Sequence, residues 1–271
     1  MDEPTEIRPL ASVQEAKDAA ALIDRVWGEE RIVMPALLRA LGAHGNPVFG
    51  AWRGGEMVGT QMGFVGITEE GPILHSHITG VAPGLEHRGV GFALKMAQRD
   101  WCLTHGINVV TWTFDPMIAR NAYFNLVKLG GVGVEFHRDY YGEMADTINV
   151  GERSDRLEVR WELSSQRVSR ALQGAPSSPP DRHGRVILQE RDRRPVRSEP
   201  AWRDEDHVIV GIPSDYLGIR EQDRDLAHAW RDAVAGVLGE AFERGYLATG
   251  FVRSRILNGY VLGREIAPLV A

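Results

Sequence analysis

One stretch of the chain limits its fold more than any other: residues 81–94 read VAPGLEHRGVGFAL. The pattern predicts an apolar strand that stops at Pro83, a glycine-rich turn, and a helix that begins near Val90. Gly89 and Gly91 have no Cβ, so the backbone can approach a ligand closely. The first N–H groups of a helix are unpaired and lie at its positive end, which suits a pyrophosphate. The turn lacks the Gly-Lys-Ser/Thr of an ATP-binding loop and the third glycine of a dinucleotide fingerprint, so neither ATP nor NAD is expected.

The composition narrows the class of protein. The chain has 271 residues, a formal net charge of -6 and a single cysteine, Cys102. One cysteine excludes an intramolecular disulfide and a cysteine-rich zinc cluster. The negative charge argues against a general nucleic-acid binder, which would show a basic face. The sequence begins with acidic residues and contains no apolar run long enough to span a membrane, so we expect a cytoplasmic protein. We expect its partner to be a small molecule, and neither nucleic acid nor a membrane.

A β-meander is predicted ahead of the glycine turn. Ser12 caps a first helix, and two apolar runs flank the turn Arg53-Gly54-Gly55-Glu56 as a hairpin. The predicted elements are strands at 7–10, 48–52, 57–67 and 73–81, with helices at 13–27 and 35–41. In the last strand, an unbroken alternation would place the following residues on one face: His75, His77, Thr79 and Val81.

The part of the chain after the turn predicts an α+β fold. Its elements are helices at about 90–105, 116–129 and 226–241, and strands at 107–114, 157–163, 207–212, 245–252 and 260–262. Residues 166–205 are rich in proline and arginine and predict a linker, in which the brief apolar run at 186–188 could form one strand. We therefore expect a first domain at 1–165, with a mixed sheet flanked by helices, and a smaller α/β extension at 206–271 that packs against it.

The turn and the elements around it resemble the GNAT superfamily of acyl-CoA-dependent N-acyltransferases. Arg88-Gly89-Val90-Gly91-Phe92-Ala93 fits that family's Arg/Gln-x-x-Gly-x-Gly/Ala loop. A later segment, residues 121–130, looks like a second family helix, with Ala122, Lys128 and Gly130 in register. The resemblance covers about residues 5–163.

The resemblance implies an enzyme that takes an acyl group from coenzyme A. The residues it assigns to the coenzyme are Thr79, Val81, Arg88, Gly89, Val90, Gly91, Phe92, Ala93, Asn121 and Lys128. An amine would attack the thioester directly, which requires a general base, and His75 and His77 titrate near neutral pH. A hydrogen-bonded structural role for each histidine is the first alternative to catalysis or substrate binding. The sequence offers the two histidines no third ligand, so no metal is expected.

The chain departs from the family pattern at three places. Pro83 lies five residues before Arg88 rather than three, and Ala119 stands where the family often has asparagine. Leu126 stands where a tyrosine often protonates the leaving thiolate. The acid would then be Tyr123, Tyr140 or Tyr141, or none, since a thiol is a tolerable leaving group.

The donor and acceptor stay open at this level. The long C-terminal part and the Trp112-Thr113-Phe114-Asp115-Pro116 segment resemble a subgroup linked to N-succinylation of amino acids. The expected donor is therefore acetyl-CoA or succinyl-CoA, and the expected acceptor is a small amine such as an amino acid. Arg120 or a linker arginine could receive the carboxylate of a succinyl group. The alternative is a non-catalytic acyl-CoA-binding or regulatory module, and a homodimer is a further possibility.

Overall fold

Contacts within the chain group its residues into two units. The N-terminal unit holds residues 1–112 and 144–151, and the C-terminal unit holds residues 113–143 and 152–271. The computed structural model describes residues 4–28, 32–85, 88–142, 151–175, 184–198 and 200–264.

The sheet of the N-terminal unit is a meander. Its strands are β1 (Glu6–Pro9), β2 (Val48–Arg53), β3 (Glu56–Thr68), β4 (Gly71–Val81) and the start of β5 (Val109–Phe114). Neighbours from β1 to β4 are antiparallel, and β4 pairs with β5 in parallel. The β2–β3 turn uses Gly54 and Gly55 at φ 56° and 80°, where glycine fits best. A parallel pair needs a crossover, which α3 (Val90–Thr104) supplies.

Helices pack on both faces of this sheet. α1 (Val13–Trp27) begins with a capping box, in which Ser12 Oγ accepts from the Glu15 N–H and the Glu15 carboxylate accepts from the Ser12 N–H. α1 and α2 (Pro35–Ala43) share one apolar layer with Val48 and Met57, whereas α3 shares another with their sequence neighbours Phe49 and Val58. Adjacent strand residues point to opposite faces, so each face of the sheet has its own core.

The C-terminal unit pairs its strands in both parallel and antiparallel fashion. Its strands are β6 (Val132–His137), β7 (Arg156–Glu162), β8 (Arg185–Arg191), β9 (Arg194–Arg197), β10 (His207–Ile212), β11 (Leu247–Arg253) and β12 (Asn258–Gly263), in the order β7-β6-β11-β12-β10-β8-β9. The helices are α4 (Ala119–Tyr123), which continues as a π-helix (Phe124–Lys128), α5 (Gln166–Leu172), α6 (Tyr216–Gln222) and α7 (Arg224–Glu243), with a 3-10 helix at Pro200–Asp204. Five large aromatic side chains are fully buried in this unit: Trp161, Trp202, Trp230, Tyr246 and Tyr260.

The structure corrects two predicted segments. The helix predicted at 116–129 begins only at Ala119, because the residues before it form a turn in which Met117 N–H donates to Asp115 Oδ1 (2.8 Å), and its second half is the π-helix. Residues 166–205, predicted as a linker, hold α5, β8, β9 and the 3-10 helix. Arginines dominate the exposed positions there, while Ile187 and Leu188 are fully buried. The composition alone therefore did not predict the pair of strands β8 and β9. Residues 176–183 lie outside the described residues.

Other expectations agree with the structure. Mixed parallel and antiparallel strands flanked by helices confirm the predicted α+β class. The predicted domain limits at 165 and 205 stay a prediction. No helix in the described ranges is both long and apolar enough to cross a membrane.

Candidate functional site

The glycine turn opens α3 as a ligand-binding turn would. Gly89 is the N-cap residue, with φ 80°, a left-handed value that favours glycine. No described side chain caps the helix, so its first N–H groups are not taken up in that way. Arg88 is exposed beside them, while the Val90 side chain is 1% exposed and packs under α3, so Val90 can offer a ligand only its backbone. Gly91, Phe92 and Ala93 are half-buried on the first turn.

A second arginine lies at the same helix end. Arg53 Nη2 donates to the Arg88 carbonyl (3.0 Å), and Arg53 Nε donates to Thr5 Oγ1 (2.7 Å). The β2–β3 turn thus brings a second guanidinium to the start of α3. Nothing in the local sequence signals this, because the contact joins positions 35 residues apart.

β4 contains a bulge that changes the predicted faces. Ser76 pairs with Gly63 and Ile78 pairs with Met62, so His77 is one extra residue in the ladder. Ser76 contacts Lys95 of α3, whereas Ile78 packs in the layer of α1 and α2.

The predicted grouping of four side chains is therefore wrong. Val81 packs in the α3 layer, and Thr79 lies two residues before it on the same stretch of strand. His75 precedes the bulge and lies on the face opposite Ser76, so it shares no face with Thr79 or Val81. The bulge shifts the side-chain alternation by one residue.

The two histidines do lie together. Their ring centroids are 5.9 Å apart, and Phe64 of β3 lies 5.2 Å from His75 and 6.1 Å from His77. Burial lowers the pKa of His75 to about 4, helped by the charges of His77 and Lys95, and desolvation also lowers the pKa of the more exposed His77. His75 Nδ1 lies 3.4 Å from Thr111 Oγ1. His75 is therefore neutral at pH 7 and can hold a hydrogen bond there.

Lys95 is a buried residue that the sequence analysis missed. It lies on α3, is 5% exposed, and donates from Nζ to Ser76 Oγ (2.8 Å) and Gln98 Oε1 (3.4 Å). Nζ also lies 4.0 Å from the ring centre of Trp112. Burial lowers the pKa of Lys95 to about 7. A lysine one position after Leu94 in an amphipathic helix was the available signal, since Leu94 marks the buried stripe.

β4 and β5 are joined only over a short stretch. Their ladder consists of Leu74 with Val110 and His75 with Thr111. Ser76 and Trp112 are the next residues on the two strands, and Lys95 contacts both. Lys95 therefore lies where the pairing of β4 with β5 ends.

Tyr140 and Tyr141 belong to the C-terminal unit, and both are partly exposed. Their rings meet edge to face at 4.7 Å, and Tyr141 OH lies 3.4 Å from Thr113 Oγ1. Burial raises the pKa of Tyr140, together with Tyr141, Glu158 and Glu135. Tyr140 therefore holds its proton at neutral pH and can act as a donor.

The helix that resembles the second family segment is short. Asn121 lies half-buried on α4 and Lys128 is exposed at the end of the π-helix. Leu126 is 1% exposed, so it belongs to the core. Arg120 is exposed, and Tyr123 lies 5.9 Å below the Arg253 guanidinium.

An ion cluster of the C-terminal unit surrounds Asp115. Arg231 of α7 donates from Nη2 to Asp115 Oδ2 (2.9 Å) and from Nε to Glu152 Oε2 (2.5 Å). Tyr216 OH donates to the same Glu152 oxygen (2.7 Å). Burial alone would lower the pKa of Arg231, but Asp115, Tyr216 and Glu152 raise it. Sequence reasoning missed this cluster because its members come from four distant segments.

One group of described residues has the donor atoms for a metal. Ligand atoms of Glu135, His137 and Glu158 lie within 4.8 Å of one another. His137 Nε2 is 3.0 Å from Glu158 Oε2, and Nδ1 is 3.6 Å from Glu135 Oε1. One hydrogen bond, between His137 and Glu158, and one longer contact, between His137 and Glu135, account for the group on β6 and β7.

Comparison with known proteins gives likenesses of fold. No family profile matches the sequence, and no curated protein matches it. The ribosomal-protein-S18-alanine N-acetyltransferase from Escherichia coli is similar in structure, with a TM-score of 0.48 and 15% identity over 60% of this chain and 96% of the other. An N-acetyltransferase from Staphylococcus aureus Mu50 has a TM-score of 0.48 and 13% identity, covering 59% and 99%. Diaminobutyrate acetyltransferase from Paenibacillus lautus, in complex with L-2,4-diaminobutyric acid and coenzyme A, has a TM-score of 0.46 and 18% identity, covering 60% and 98%.

Proposed function

We propose that the chain is an N-acyltransferase that moves an acetyl or succinyl group from coenzyme A to the amine of a small metabolite such as an amino acid. The observation that carries the proposal is the opening of α3, where Gly89 adopts a left-handed φ and no described side chain caps the helix. Arg88 and Arg53 lie at this same end. Two guanidinium groups and a row of N–H donors match the charge and size of a pyrophosphate.

The remaining coenzyme contacts follow from the course of β4. Thr79 and Val81 lie on the part of β4 beyond its ladder with β5, so their backbone groups are available to a pantetheine arm. The bulge at His77 leaves one residue out of the ladder with β3, and a backbone N–H there can polarise the thioester oxygen. Asn121 and Lys128 are further proposed contacts.

The chemistry is a direct acyl transfer. The amine nitrogen forms a bond to the thioester carbon, the carbon–sulfur bond breaks, and the amine proton passes to a base while the thiolate takes a proton from an acid. His77 suits the base better than His75, because a group whose pKa is about 4 holds a proton poorly at pH 7. Tyr140 or Tyr141 supplies the acid, or the thiolate leaves unprotonated.

Binding measurements test the coenzyme site. Calorimetry with acetyl-CoA, succinyl-CoA and free coenzyme A should show binding of all three, and Arg88→Ala should weaken all three by a similar factor of about 10, since the pyrophosphate is common to them. Arg39→Ala, an exposed arginine of α2, is the matched control and should bind as the unaltered chain does. No binding by the unaltered chain at hundreds of micromolar would overturn the proposal.

A coenzyme-binding module without catalysis is the second candidate. It is favoured by Leu126, which stands where the family often has its acid and is buried at 1% exposure. Steady release of thiol from acyl-CoA in the presence of a panel of amines supports the enzyme. Binding without turnover over the whole panel supports the module.

A further inference from the structure

We propose that Lys95, Gln98 and Gln61 form a buried site for a carboxylate at the far end of the acyl group, so that the preferred donor is the coenzyme A thioester of a dicarboxylic acid. The inference rests on the proposed function, because the thioester must enter beside β4. It differs from the sequence expectation, which looked to Arg120 or to arginines of residues 166–205.

The first support is a buried cation without an anion. Lys95 Nζ contacts Ser76 Oγ, Gln98 Oε1 and the face of Trp112, all of them uncharged. Within the described residues, no carboxylate contacts it. A buried charge normally has an oppositely charged partner, because burial without one is costly. A ligand carboxylate would supply that partner.

The second support is a pair of unused amide groups beside the lysine. Gln98 Nε2 and Gln61 Oε1 are buried, and neither has a hydrogen-bond partner among the described residues. Gln98 is 0% and Gln61 is 1% exposed, and Gln61 Nε2 lies 3.4 Å from the same Ser76 Oγ that Lys95 contacts. A turn of the Gln61 amide by half a revolution would give its oxygen to the Ser76 hydroxyl and free its N–H. Lys95 contacts both Ser76, the partner of Gln61, and Gln98, so the three side chains are neighbours, and a carboxylate can accept hydrogen bonds from Lys95, Gln98 and Gln61.

The third support is position. Lys95 contacts Ser76 on β4 and Trp112 on β5, which directly follow His75 and Thr111, the last pair of the two strands. A thioester bound alongside β4 beyond this point would direct its acyl chain toward Lys95. A short acyl chain that ends in a carboxylate would reach the three donors, whereas an apolar end would leave them unpaired.

The groups around Lys95 make its protonation the event to measure. The titratable neighbours are His75 on β4 and Cys102 on α3, and Gln61 on β3, Ser76 on β4 and Trp112 on β5 carry no charge. Burial lowers the pKa of His75 to about 4 and raises that of Cys102 to about 12, so neither changes charge between pH 6 and 9. Burial lowers the pKa of Lys95 to about 7, and a bound carboxylate would raise it again. Binding of a dicarboxylic donor at pH 8 should therefore take up about 0.9 proton.

The experiment compares succinyl-CoA with butyryl-CoA, which has the same chain length but ends in a methyl group. Calorimetry of the full chain at pH 6.5 should show that succinyl-CoA binds at least 10-fold more tightly. In buffers of different ionisation enthalpy at pH 8, proton uptake should accompany succinyl-CoA and not butyryl-CoA. Lys95→Met, close in size but uncharged, should abolish both the preference and the uptake while it still binds butyryl-CoA. Lys17→Met, at an exposed position of α1, is the control and should change neither.

The outcomes separate the two proposals. Equal affinity for the two thioesters in the unaltered chain, or a preference that survives in Lys95→Met, overturns the carboxylate site and leaves the acyltransferase proposal intact. Failure of every thioester and of free coenzyme A to bind overturns both.

Discussion

Lys95 is expected to affect the stability of the fold, in addition to binding its proposed ligand. Burial lowers its pKa to about 7 in the folded chain, from the usual 10.5. Between these values the unfolded chain holds a proton that the folded chain does not. This group therefore destabilises the fold fully below pH 7, and the penalty fades as the pH rises toward 10.5.

Replacing Lys95 by Met should stabilise the protein at low pH. At pH 6 the free energy of unfolding should rise by up to roughly 5 kcal/mol, and the difference from the unaltered chain should stay level to about pH 7 and then shrink up to pH 9. Urea unfolding at several pH values measures this, with Lys17→Met as the control. A gain that does not change with pH would mean that Lys95 is not a titrating buried group.

Local sequence revealed the glycine turn but not the groups that surround it. Gly89 and Arg88 could be predicted because a strand, a turn and a helix follow one another within 14 residues. Arg53 and Lys95 could not, because their partners lie 35 and 19 residues away and depend on how β2 and β4 meet α3. Strongly periodic segments carry their own signal, whereas contacts between segments do not.

At the scale of elements, the presence of a helix or strand was easier to predict than the face on which each of its side chains lies. Ser12 marks the start of α1, and the hairpin at Gly54 and Gly55 forms as expected. The bulge at His77 could not be predicted, because residues 73–81 were expected to place their side chains on alternate faces without a break. The bulge depends on the register of β4 with β3. The π-helix at Phe124–Lys128 was likewise not predicted, because residues 116–129 were expected to form one ordinary helix.

Arg231 of α7 is expected to be essential to the stability of the helices and loops that it joins. It pairs with Asp115, which follows β5, and with Glu152, which Tyr216 of α6 also contacts. Arg231→Met would leave two largely buried carboxylates without their cation, so the free energy of unfolding should fall by about 3–5 kcal/mol in urea.

Arg138→Met is the control for that measurement. Arg138 pairs with Asp232 on the surface, with 59% and 63% of the two side chains exposed, so its loss should cost less than about 1 kcal/mol. A similar loss for the two variants would contradict the importance assigned to the buried cluster.

At the scale of the molecule, most strands could be predicted from the sequence, but their order in the sheet could not. β6 pairs with β7 on one side and with β11 on the other, and the predicted domain limit at residue 165 stays a prediction. α4 and the π-helix also contact β11. Strand order of this kind depends on pairing between residues more than 100 positions apart, as in Gly133 with Ala248, which no local pattern encodes.

A chain that ends after Leu172 should therefore lose structure well before its new end. It would lack β8 to β12 with α6 and α7, so β6 would lose a neighbour and buried residues of β6 and β7 would be exposed. Hydrogen exchange should show loss of protection in β6 and β7, and urea unfolding should show a smaller m-value. Full protection of β6 in the shortened chain would show that the first 172 residues fold alone.

The bulge in β4 has a consequence for anyone who compares this chain with its relatives. His77 is a single inserted position, and every side chain on one side of it is out of phase with those on the other. An alignment that runs through residues 71–81 without a gap would therefore match inward positions to outward ones in any relative whose strand is straight. A one-residue gap at position 77 restores the correspondence of faces.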